Sequence, residues 1–448
     1  MKPILTHIKQ LRGKLGTLWW YTLLAFVVNR LGDVINVFIG LYLVPRLLPG
    51  EDLGALLPLM KIGAVFSIPL ALLLLPVAKY LSYFVAKNEL GKAKALLIDS
   101  LAVSAVFAVG VTCWIFSKGD ALLLRLHVSD ARLLWPIAGF AVLVCISPIV
   151  NAAMRALQYF KTMLISGMVG PYVRLLGMIL LLTPLGAFGY LLTQLATATS
   201  SVLVMLVVLL FVLHRLGRRE SWWRHWREMA WYALPLLVFS LAGRLQEPVE
   251  ALVIRQRLPL VDSEGYYYAT MLGAIPGYFT GAMVPFLWPI ISDRFERGLP
   301  TGKLLFHSMF FNFAIGLVFV LLFALCMPWF FTLPGPWHGS EAYAGFVWQA
   351  ALIGIFKMTG TIFTAHETAC RRFKFMYYVV PIMLLECAVL YILPGWSLFK
   401  RYLPLGWWEW VDARYSPTLQ GFVTIMLVAN GLVALGMVVE WRRRGAGK

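Results

Sequence analysis

Arg244-Leu-Gln-Glu247-Pro-Val-Glu250 is the stretch that decides the fold, because it sets three charged side chains near the middle of an apolar segment, Trp231 to Ile254. Charges at membrane depth are costly and normally face a bundle interior or a water-filled cavity. A related pattern, Arg30-Leu-Gly-Asp33, lies in the first apolar segment, residues 18–43. In both patterns an acid follows an arginine by three residues, so the two charges share one face of a helix. Two such sites, 214 residues apart, indicate a duplicated membrane protein with its functional site between two halves.

The composition places the chain among membrane proteins. Of its 448 residues, 60% are hydrophobic and 13% are charged, and the mean hydropathy is +0.78. A soluble domain carries about 25% charged residues. The apolar residues come in runs long enough to cross a bilayer as helices, so we predict an all-α polytopic membrane protein. Residues 1–16 lack the apolar core and cleavage site of a signal peptide and favour a basic amphipathic segment on the membrane surface.

Twelve apolar runs predict twelve transmembrane helices. They cover residues 18–43, 54–78, 96–117, 134–154, 163–183, 188–213, 231–255, 266–291, 304–329, 346–368, 376–394 and 417–439. The termini and the connections on their side of the membrane carry 25 of the 39 Lys and Arg residues, whereas the opposite side carries 9. Because positive charge marks the cytoplasmic side, this distribution predicts a location in the cell inner membrane with both termini in the cytoplasm.

Four short patterns recur at a nearly constant distance along the chain. Trp20-Tyr21 recurs as Trp231-Tyr232, Arg30-x-x-Asp33 as Arg244-x-x-Glu247, Gly91-Lys92 as Gly302-Lys303, and Ala156–Lys161 as Ala369–Lys374, with offsets between 211 and 214. Six spans is an even number, so the two halves have the same orientation and are related by an axis along the membrane normal. We predict two pseudo-symmetric six-helix lobes, residues 17–213 and 231–440, a basic cytoplasmic linker at 214–230 and a basic tail at 441–448.

Motifs of enzymes and metalloproteins are missing from the sequence. It contains no P-loop, no G-x-G-x-x-G and no H-E-x-x-H, and its five cysteines share no metal-binding spacing. We therefore expect no catalytic residues, no cofactor and no metal site. The net charge of +18 is concentrated on one side of the membrane, which favours membrane orientation over nucleic-acid binding as its cause.

Charged residues inside the spans have two interpretations. The basic ones are Arg30, Lys61, Arg174, Arg244 and Lys357, and the acidic ones are Asp33, Glu247, Glu250, Glu367, Glu386 and Glu440. They form internal ion pairs that fix the helix register, or they line a polar cavity that binds a charged solute. We favour the cavity for the basic residues on spans one, two and seven, and the structural role for Arg174 and Glu386, which lie at equivalent places in spans five and eleven.

Two sequence segments resemble a known family. Leu41-Tyr-Leu-Val-Pro-Arg46-Leu-Leu-Pro-Gly-Glu-Asp-Leu-Gly54-Ala and the following Val77–Lys92 are similar to the opening of polysaccharide flippases, and Ala156-Leu-Gln-Tyr-Phe-Lys161 after span four also fits. These flippases belong to the multidrug/oligosaccharidyl-lipid/polysaccharide (MOP) exporter superfamily. The resemblance implies a V-shaped pair of lobes whose central cavity is lined by spans one, two, seven and eight. It would place the following residues in that cavity: Arg30, Asp33, Lys61, Arg244 and Glu247.

The first functional hypothesis is a flippase that moves an undecaprenyl-pyrophosphate-linked oligosaccharide from the inner to the outer leaflet by alternating access. The diphosphate needs cations at membrane depth, which Arg30, Lys61 and Arg244 would supply through charge-assisted hydrogen bonds. For the sugars we predict contacts with Asn29, Gln246 and Tyr278. The expected partners are this lipid-linked oligosaccharide, membrane lipids and glycan polymerase machinery.

The second hypothesis is a proton- or sodium-coupled exporter of cationic or drug-like molecules from the same superfamily. A cationic cavity favours the flippase and an acidic one the exporter, but Arg30, Lys61 and Arg244 are balanced by Asp33, Glu247 and Glu250. The major facilitator superfamily ranks third, because its Asp-Arg motif between spans two and three is absent from residues 79–94. A scaffold without substrate is disfavoured by the many intramembrane charges.

Ion coupling is assigned to the acids of spans one and seven, Asp33, Glu247 and Glu250. We predict that Glu247 pairs with Arg244 and that Glu250 carries the proton. The alternative for Glu250 is contact with the outer water or an ion pair with Arg255.

Overall fold

The structure, a computed structural model, describes most of the chain. The described residues are 30–48, 50–66, 68–157, 159–215, 217–258, 260–281, 298–333, 343–370, 372–392 and 419–445, with 284, 287, 291, 294, 295, 335 and 337. The predicted amphipathic segment 1–16, the sugar-binding candidate Asn29 and the last residues of the basic tail lie outside this part of the chain.

The first half, residues 30–215, is helical along almost its whole described length. Helix α1 covers residues 30–47 with a π-helical turn at Ile39–Leu43. It is followed by α2 (Gly50–Phe66), α3 (Ile68–Ala86), α4 (Leu90–Arg125), a 3-10 turn at Ala131–Leu133, α5 (Leu134–Ala156), α6 (Phe160–Gly177), a π-helical turn at Met178–Leu182 and α7 (Thr183–Arg215).

The second half, residues 226–445, follows a 3-10 turn at Trp223–His225. Its helices are α8 (Trp226–Arg257), α9 (Leu260–Gly273), α10 (Ile275–Gly281), α11 (Gly302–Thr332), α12 (Ala344–Ala369), α13 (Met376–Ile392) and α14 (Leu419–Gly445).

Six helical stretches of the described chain are long and apolar enough to cross a membrane. They are Leu90–Arg125, Ala131–Ala156, Lys161–Arg215, Gly302–Thr332, Ala344–Ala369 and Gly421–Arg442. Among the described residues none lies in a β-strand. The all-α polytopic class is therefore confirmed, while twelve spans in two six-helix lobes stays a prediction.

The stretch Lys161–Arg215 contains two helices that run in opposite directions. Gly186 has φ +55°, a left-handed conformation that glycine adopts without steric cost. Just after it, a Cβ on Gly189 would lie 2.0 Å from the Leu181 carbonyl oxygen, so the chain reverses tightly here. Helices α6 and α7 consequently pack against each other along their length. This turn lies at the boundary predicted between spans five and six.

Two ends of the bundle differ in how the halves meet. We call the end with residues 87–89 and the linker 217–225 the basic end, and the end with residues 126–133 the far end. At the far end one core includes buried side chains of both halves, among them Leu56, Leu126, Tyr267 and Phe331. At the basic end there are two cores, one with residues of α3, α4, α5 and α7 and with Met229 of α8, the other with residues of α11, α12, α13 and α14.

Specific contacts join the halves at the far end. The Tyr267 hydroxyl donates to the Gly40 carbonyl at 3.1 Å. The buried Arg255 guanidinium donates through Nε to the Leu126 carbonyl at 3.0 Å. The backbones of α2 and α9 are also close, since a Cβ on Gly54 would lie 2.9 Å from that of Ser263. Within the described residues the halves thus share one core at the far end, whereas at the basic end the start of α8 packs on the core of the first half.

The linker lies on the first half. Asp99 of α4 accepts hydrogen bonds from the Arg219 guanidinium and, at 2.8 Å, from the Trp222 indole N–H. The Glu220 backbone N–H donates to the Gly91 carbonyl at 3.1 Å. These contacts fix the start of α8 beside α3 and α4, and α8 then runs between α2, α3 and α13.

Candidate functional site

Helix α8 is the centre of the polar site, because two consecutive turns of it carry charged or amide side chains. Glu247 faces α2 of the first half, Glu250 faces α12, and Gln246 faces α13 and α14. Pro248 lies between the two glutamates and has no N–H, so the Arg244 carbonyl lacks its usual helical donor. The segment 244–250 therefore contacts both halves of the molecule from one helix.

The two halves are joined by an ion pair between Lys61 of α2 and Glu247. The Lys61 ammonium lies 2.5 Å from Glu247 Oε2. Although both residues lie at mid-span, the Glu247 side chain is 58% exposed and that of Lys61 30% exposed. The pair therefore joins α2 to α8 while both side chains stay partly accessible. The predicted Glu247–Arg244 ion pair is wrong, because the ammonium from α2 occupies the carboxylate instead.

Glu250 is buried in the second half and paired with Lys357 of α12. The Lys357 ammonium donates to both carboxylate oxygens, at 2.9 and 3.1 Å, and Glu250 is only 2% exposed. The alternatives of outer water and of an Arg255 ion pair for Glu250 are therefore wrong. Lys357 lies on span ten, far from α8 along the sequence. The sequence pattern therefore gave no reason to pair Lys357 with Glu250.

Gln246 belongs to a buried network within the second half. Its amide donates to Glu386 of α13 at 2.7 Å and to the Asn430 side-chain oxygen of α14 at 3.2 Å. Asn430 donates in turn to Glu386 at 3.3 Å. All three residues are nearly inaccessible to solvent. The prediction that Gln246 contacts sugars in the cavity is thus wrong. Gln246 and Glu247 are neighbours on α8, so their side chains point in different directions, and that of Gln246 points into the second half.

The first half has a corresponding network around Arg174 of α6. Its guanidinium donates to the Asn36 side-chain oxygen of α1 at 2.7 Å. With its amide oxygen turned toward Arg174, Gln194 of α7 accepts from that guanidinium at 2.9 and 3.2 Å and from the Tyr190 hydroxyl at 3.1 Å. The partners of this cation are neutral amides. For Arg174 and Glu386 the structure supports the structural interpretation favoured for them.

Other predicted site residues lie nearby. Arg30 and Asp33 of α1 form an ion pair of 2.9 Å with both side chains about one-quarter exposed. Tyr278 of α10 is partly buried and is an electrostatic neighbour of Asp33 and Arg174, which places it at the boundary between the halves.

Arg244 is different from the other predicted cations. It is exposed, and within the part of the chain that the structure describes it forms no hydrogen bond or ion pair. Of the three residues proposed to bind a diphosphate, Arg30 and Lys61 already have carboxylate partners. Arg244 lies one turn from Glu247 on α8, so it is close to the ion pair that joins the halves.

With the exposed Arg244 left out, the charges around α8 do not balance. Glu250 and Lys357 are electrostatic neighbours of Glu247 and Lys61, and Glu386 adds a further carboxyl group. Three acids thus face two lysines, which leaves one negative charge if all are ionised. Such a cluster can hold a proton or a small cation. In the described residues no group of His, Cys, Asp and Glu is arranged to hold a metal ion.

Comparison with known proteins identifies the fold. By sequence, no family model and no curated protein matches the chain. By structure, a multidrug resistance MATE transporter of the MOP superfamily in an inward-facing conformation matches with a TM-score of 0.70 and 13% identity, over 95% of this chain and 98% of that one. The fold is that of the MOP-superfamily transporters.

Two further structures extend the MOP comparison. The lipid II flippase MurJ in an inward closed conformation gives a TM-score of 0.66 at 11% identity, over 94% of this chain and 87% of that one. A MOP superfamily transporter from Pyrococcus furiosus, described as having a binding pocket of reverse polarity, gives 0.61 at 14% identity, over 95% and 93%. The predicted MOP-like fold is confirmed, whereas membership of the superfamily and of its polysaccharide-flippase branch stays a prediction.

Proposed function

We propose that the protein is a MOP-type transporter that moves an undecaprenyl-diphosphate-linked oligosaccharide from the inner to the outer leaflet by alternating access. The observation that carries this proposal is Arg244, which is exposed one turn from the Lys61–Glu247 pair and has no acidic partner among the described residues. An arginine at membrane depth is costly unless something compensates its charge. A diphosphate does so well, because the planar guanidinium binds two phosphate oxygens at once.

Lys61 strengthens this site. Its ammonium is bound to Glu247 but remains 30% exposed beside Arg244, so a diphosphate held by Arg244 would compete with Glu247 for it. The sugars would occupy the open space between the halves, with Tyr278 at its boundary, while the lipid tail stays in the bilayer. Arg30, neutralised by Asp33, would play a smaller part than the sequence suggested.

The test is transport by purified protein in liposomes that contain a fluorescent polyprenyl-diphosphate disaccharide. We expect Arg244→Ala to lower the flipping rate about 10- to 100-fold, the loss for one charged hydrogen-bonding group worth about 1.5–3 kcal/mol. Arg244→Lys should restore only part of the rate, because an ammonium cannot bind two oxygens in one plane. Arg132→Ala, in the far-end connection, is the matched control. Normal flipping by Arg244→Ala would exclude this role.

A second candidate function is ion-coupled export of cationic compounds. It is favoured by the excess of carboxyl groups, with Glu247, Glu250 and Glu386 against Lys61 and Lys357. The same liposomes loaded with a cationic dye separate the two. Dye transport that survives Arg244→Ala, together with absent flipping of the diphosphate probe, would establish the exporter.

Ion coupling at Glu250 is part of the proposal in either case. We expect an imposed pH gradient to accelerate transport by the unmodified protein and to have no effect on Glu250→Gln, which cannot carry a proton. A sodium gradient in the same assay distinguishes the two ions. If Glu250→Gln responds to the pH gradient as the unmodified protein does, the coupling group lies elsewhere.

The orientation follows from the charge distribution along the chain. We propose an inner-membrane location with the basic end and both termini in the cytoplasm. Glycan polymerase machinery would be a partner in the pathway of the substrate. Impermeant thiol labelling of Lys374→Cys, at the basic end, tests the orientation. In intact cells this cysteine should stay unlabelled until the membrane is permeabilised.

A further inference from the structure

The proposed function assigns no role to Lys357, a charged residue of the site. Its ammonium binds both oxygens of Glu250, whose side chain is 3% exposed, whereas the Lys357 side chain is 27% exposed. One turn away on α8, Glu247 is held by Lys61 from the other half. Two lysines, one from each half, thus face two glutamates on one helix.

Each lysine is within electrostatic range of both glutamates. Lys357 interacts with Glu247 as well as with Glu250, and Lys61 interacts with Glu250 as well as with Glu247. Side chains three residues apart on a helix lie about 5–6 Å apart at their Cβ atoms. The flexible four-carbon stem of Lys357 can cover that distance by changing rotamers.

The charged and titratable groups around Glu250 explain why its protonation would change the ion-pair partner of Lys357. They are, from every element packed against it, Lys357 of α12, Glu386 and Cys387 of α13, Tyr266 of α9, Lys61 of α2 and Glu247 of α8 itself. Lys357 is the cation in contact with Glu250. Once Glu250 is neutral, Glu247 is the ionised carboxylate on the same face of α8 that can attract the Lys357 ammonium.

We infer that Lys357 transfers its ion pair from Glu250 to Glu247 when Glu250 takes up a proton, and that this exchange releases Lys61. The proton would reach Glu250 past the partly exposed Lys357 side chain, and it leaves Glu250 when Lys357 returns. The ion pair that joins the halves at mid-span is then broken, and the Lys61 ammonium becomes available to a phosphate beside Arg244. This last step rests on the proposed function, whereas the exchange itself needs no substrate.

The exchange can be measured as the separation of the halves at the basic end. Spin labels at Arg155→Cys and Lys374→Cys, both exposed there, would report the distance in lipid nanodiscs without substrate, after replacement of the five native cysteines by alanine. We expect two distance populations, one joined and one released. Their ratio should change by up to about tenfold per pH unit, the limit for uptake of a single proton. A ratio independent of pH would overturn the inference.

Single and double variants separate an exchange from an ordinary structural ion pair. Glu250→Gln mimics the protonated acid and should give the released distance at every pH. Lys357→Met removes the competitor for Glu247 and should give the joined distance at every pH. A structural ion pair predicts the same change for both variants, since each breaks the same contact. Identical behaviour of the two would therefore contradict the exchange.

The double variant Glu250→Gln/Lys357→Met provides the test if Lys357→Met alone fails to fold, because it leaves no unpaired charge. We expect it to show the joined distance, so that the loss of Lys357 overrides the released state of Glu250→Gln. The released distance in the double variant would overturn the inference. Asp99→Asn, which breaks the linker ion pair on α4, is the control and should titrate as the unmodified protein does. Because no substrate is present, failure here is distinguishable from failure of the diphosphate assay.

Discussion

The two halves of the molecule contain the same polar arrangement with opposite charge. In the first half Arg174 of α6 bridges Asn36 of α1 and Gln194 of α7. In the second half Glu386 of α13 bridges Gln246 of α8 and Asn430 of α14. The two charged residues lie 212 positions apart, at equivalent places in their spans. A charged residue thus joins the same three helices in each half, through amides that can act as donors or acceptors.

The difference in sign gives the halves different chemistry. Arg174 is surrounded by neutral amides, so the first half retains a positive charge near the space between the halves. Glu386 lies near a second acid, Glu250, and the lysine that pairs with it. A duplicated fold can in this way keep a cation among neutral amides in one half and gather acids in the other.

Charge reversal is the strongest way to break this comparison. We expect Glu386→Arg to destabilise the protein by roughly 3–5 kcal/mol, because it adds an uncompensated buried cation beside Lys357. Arg174→Glu should cost less, about 1–3 kcal/mol, since the Asn36 and Gln194 amides can turn to donate to a carboxylate. Thermal unfolding in detergent, followed by intrinsic fluorescence, measures both.

The control for charge reversal is Arg132→Glu in the exposed connection at the far end, which should unfold as the unmodified protein does. Equal losses from Glu386→Arg and Arg174→Glu would mean that the halves do not differ in the way that their bonding partners indicate.

The helices were largely predictable from the sequence, because a helix that crosses the membrane needs an apolar run as long as the bilayer is thick. Residues 134–154 and 346–368 were predicted as spans, and the structure has α5 at Leu134–Ala156 and α12 at Ala344–Ala369. Charged residues stand out within such runs, which is how Arg174, Glu386 and Lys357 were recognised.

The partners of those charges were not predictable in the same way. Spacing along one helix suggested the local pair Arg244–Glu247, whereas Glu247 is bound by Lys61, 186 residues earlier. Local pairs are worth only about 0.2–0.5 kcal/mol, so a close contact from a neighbouring helix readily replaces them. Gln246 shows a second limit, because a neutral amide in an apolar run gives no sign of which side of the helix is buried. Both errors concern packing between helices, which periodicity does not determine.

A variant with a smaller expected effect introduces into the first half an acid equivalent to Glu250 of the second half. Asn36 lies 214 residues before Glu250, so Asn36→Asp would place a carboxylate at the equivalent position, next to Arg174. We expect stability to change by less than about 1 kcal/mol, because the cost of burying the new charge offsets its attraction to Arg174. Flipping of the diphosphate probe should stay within about twofold of the normal rate, since Arg174 has a structural role and the proposed anion site is at Arg244. A tenfold loss with intact folding would show that Arg174 contributes to the anion site.

The smallest effect should come from a charge pair outside the spans, where solvent removes most of its influence. In the far-end connection Arg132 donates to Asp130 through Nε at 3.0 Å and through Nη2 at 3.2 Å, and its backbone N–H caps the same carboxylate at 3.0 Å. The side-chain hydrogen bond from Arg132 is the main cause that lowers the pKa of Asp130 below its usual range. Because the folded-state pKa of Asp130 lies below the unfolded one, the stabilisation is present at neutral pH and is lost as the pH falls through the folded pKa.

The Arg132 side chain is 80% exposed, so the contribution of this ion pair to stability is strongly screened. We therefore expect Asp130→Asn to leave the unfolding temperature unchanged at neutral pH and to reduce only slightly the loss of stability in acid. If Asp130→Asn instead destabilised the protein as much as Glu386→Arg, burial would not be what makes the charges of the two halves important.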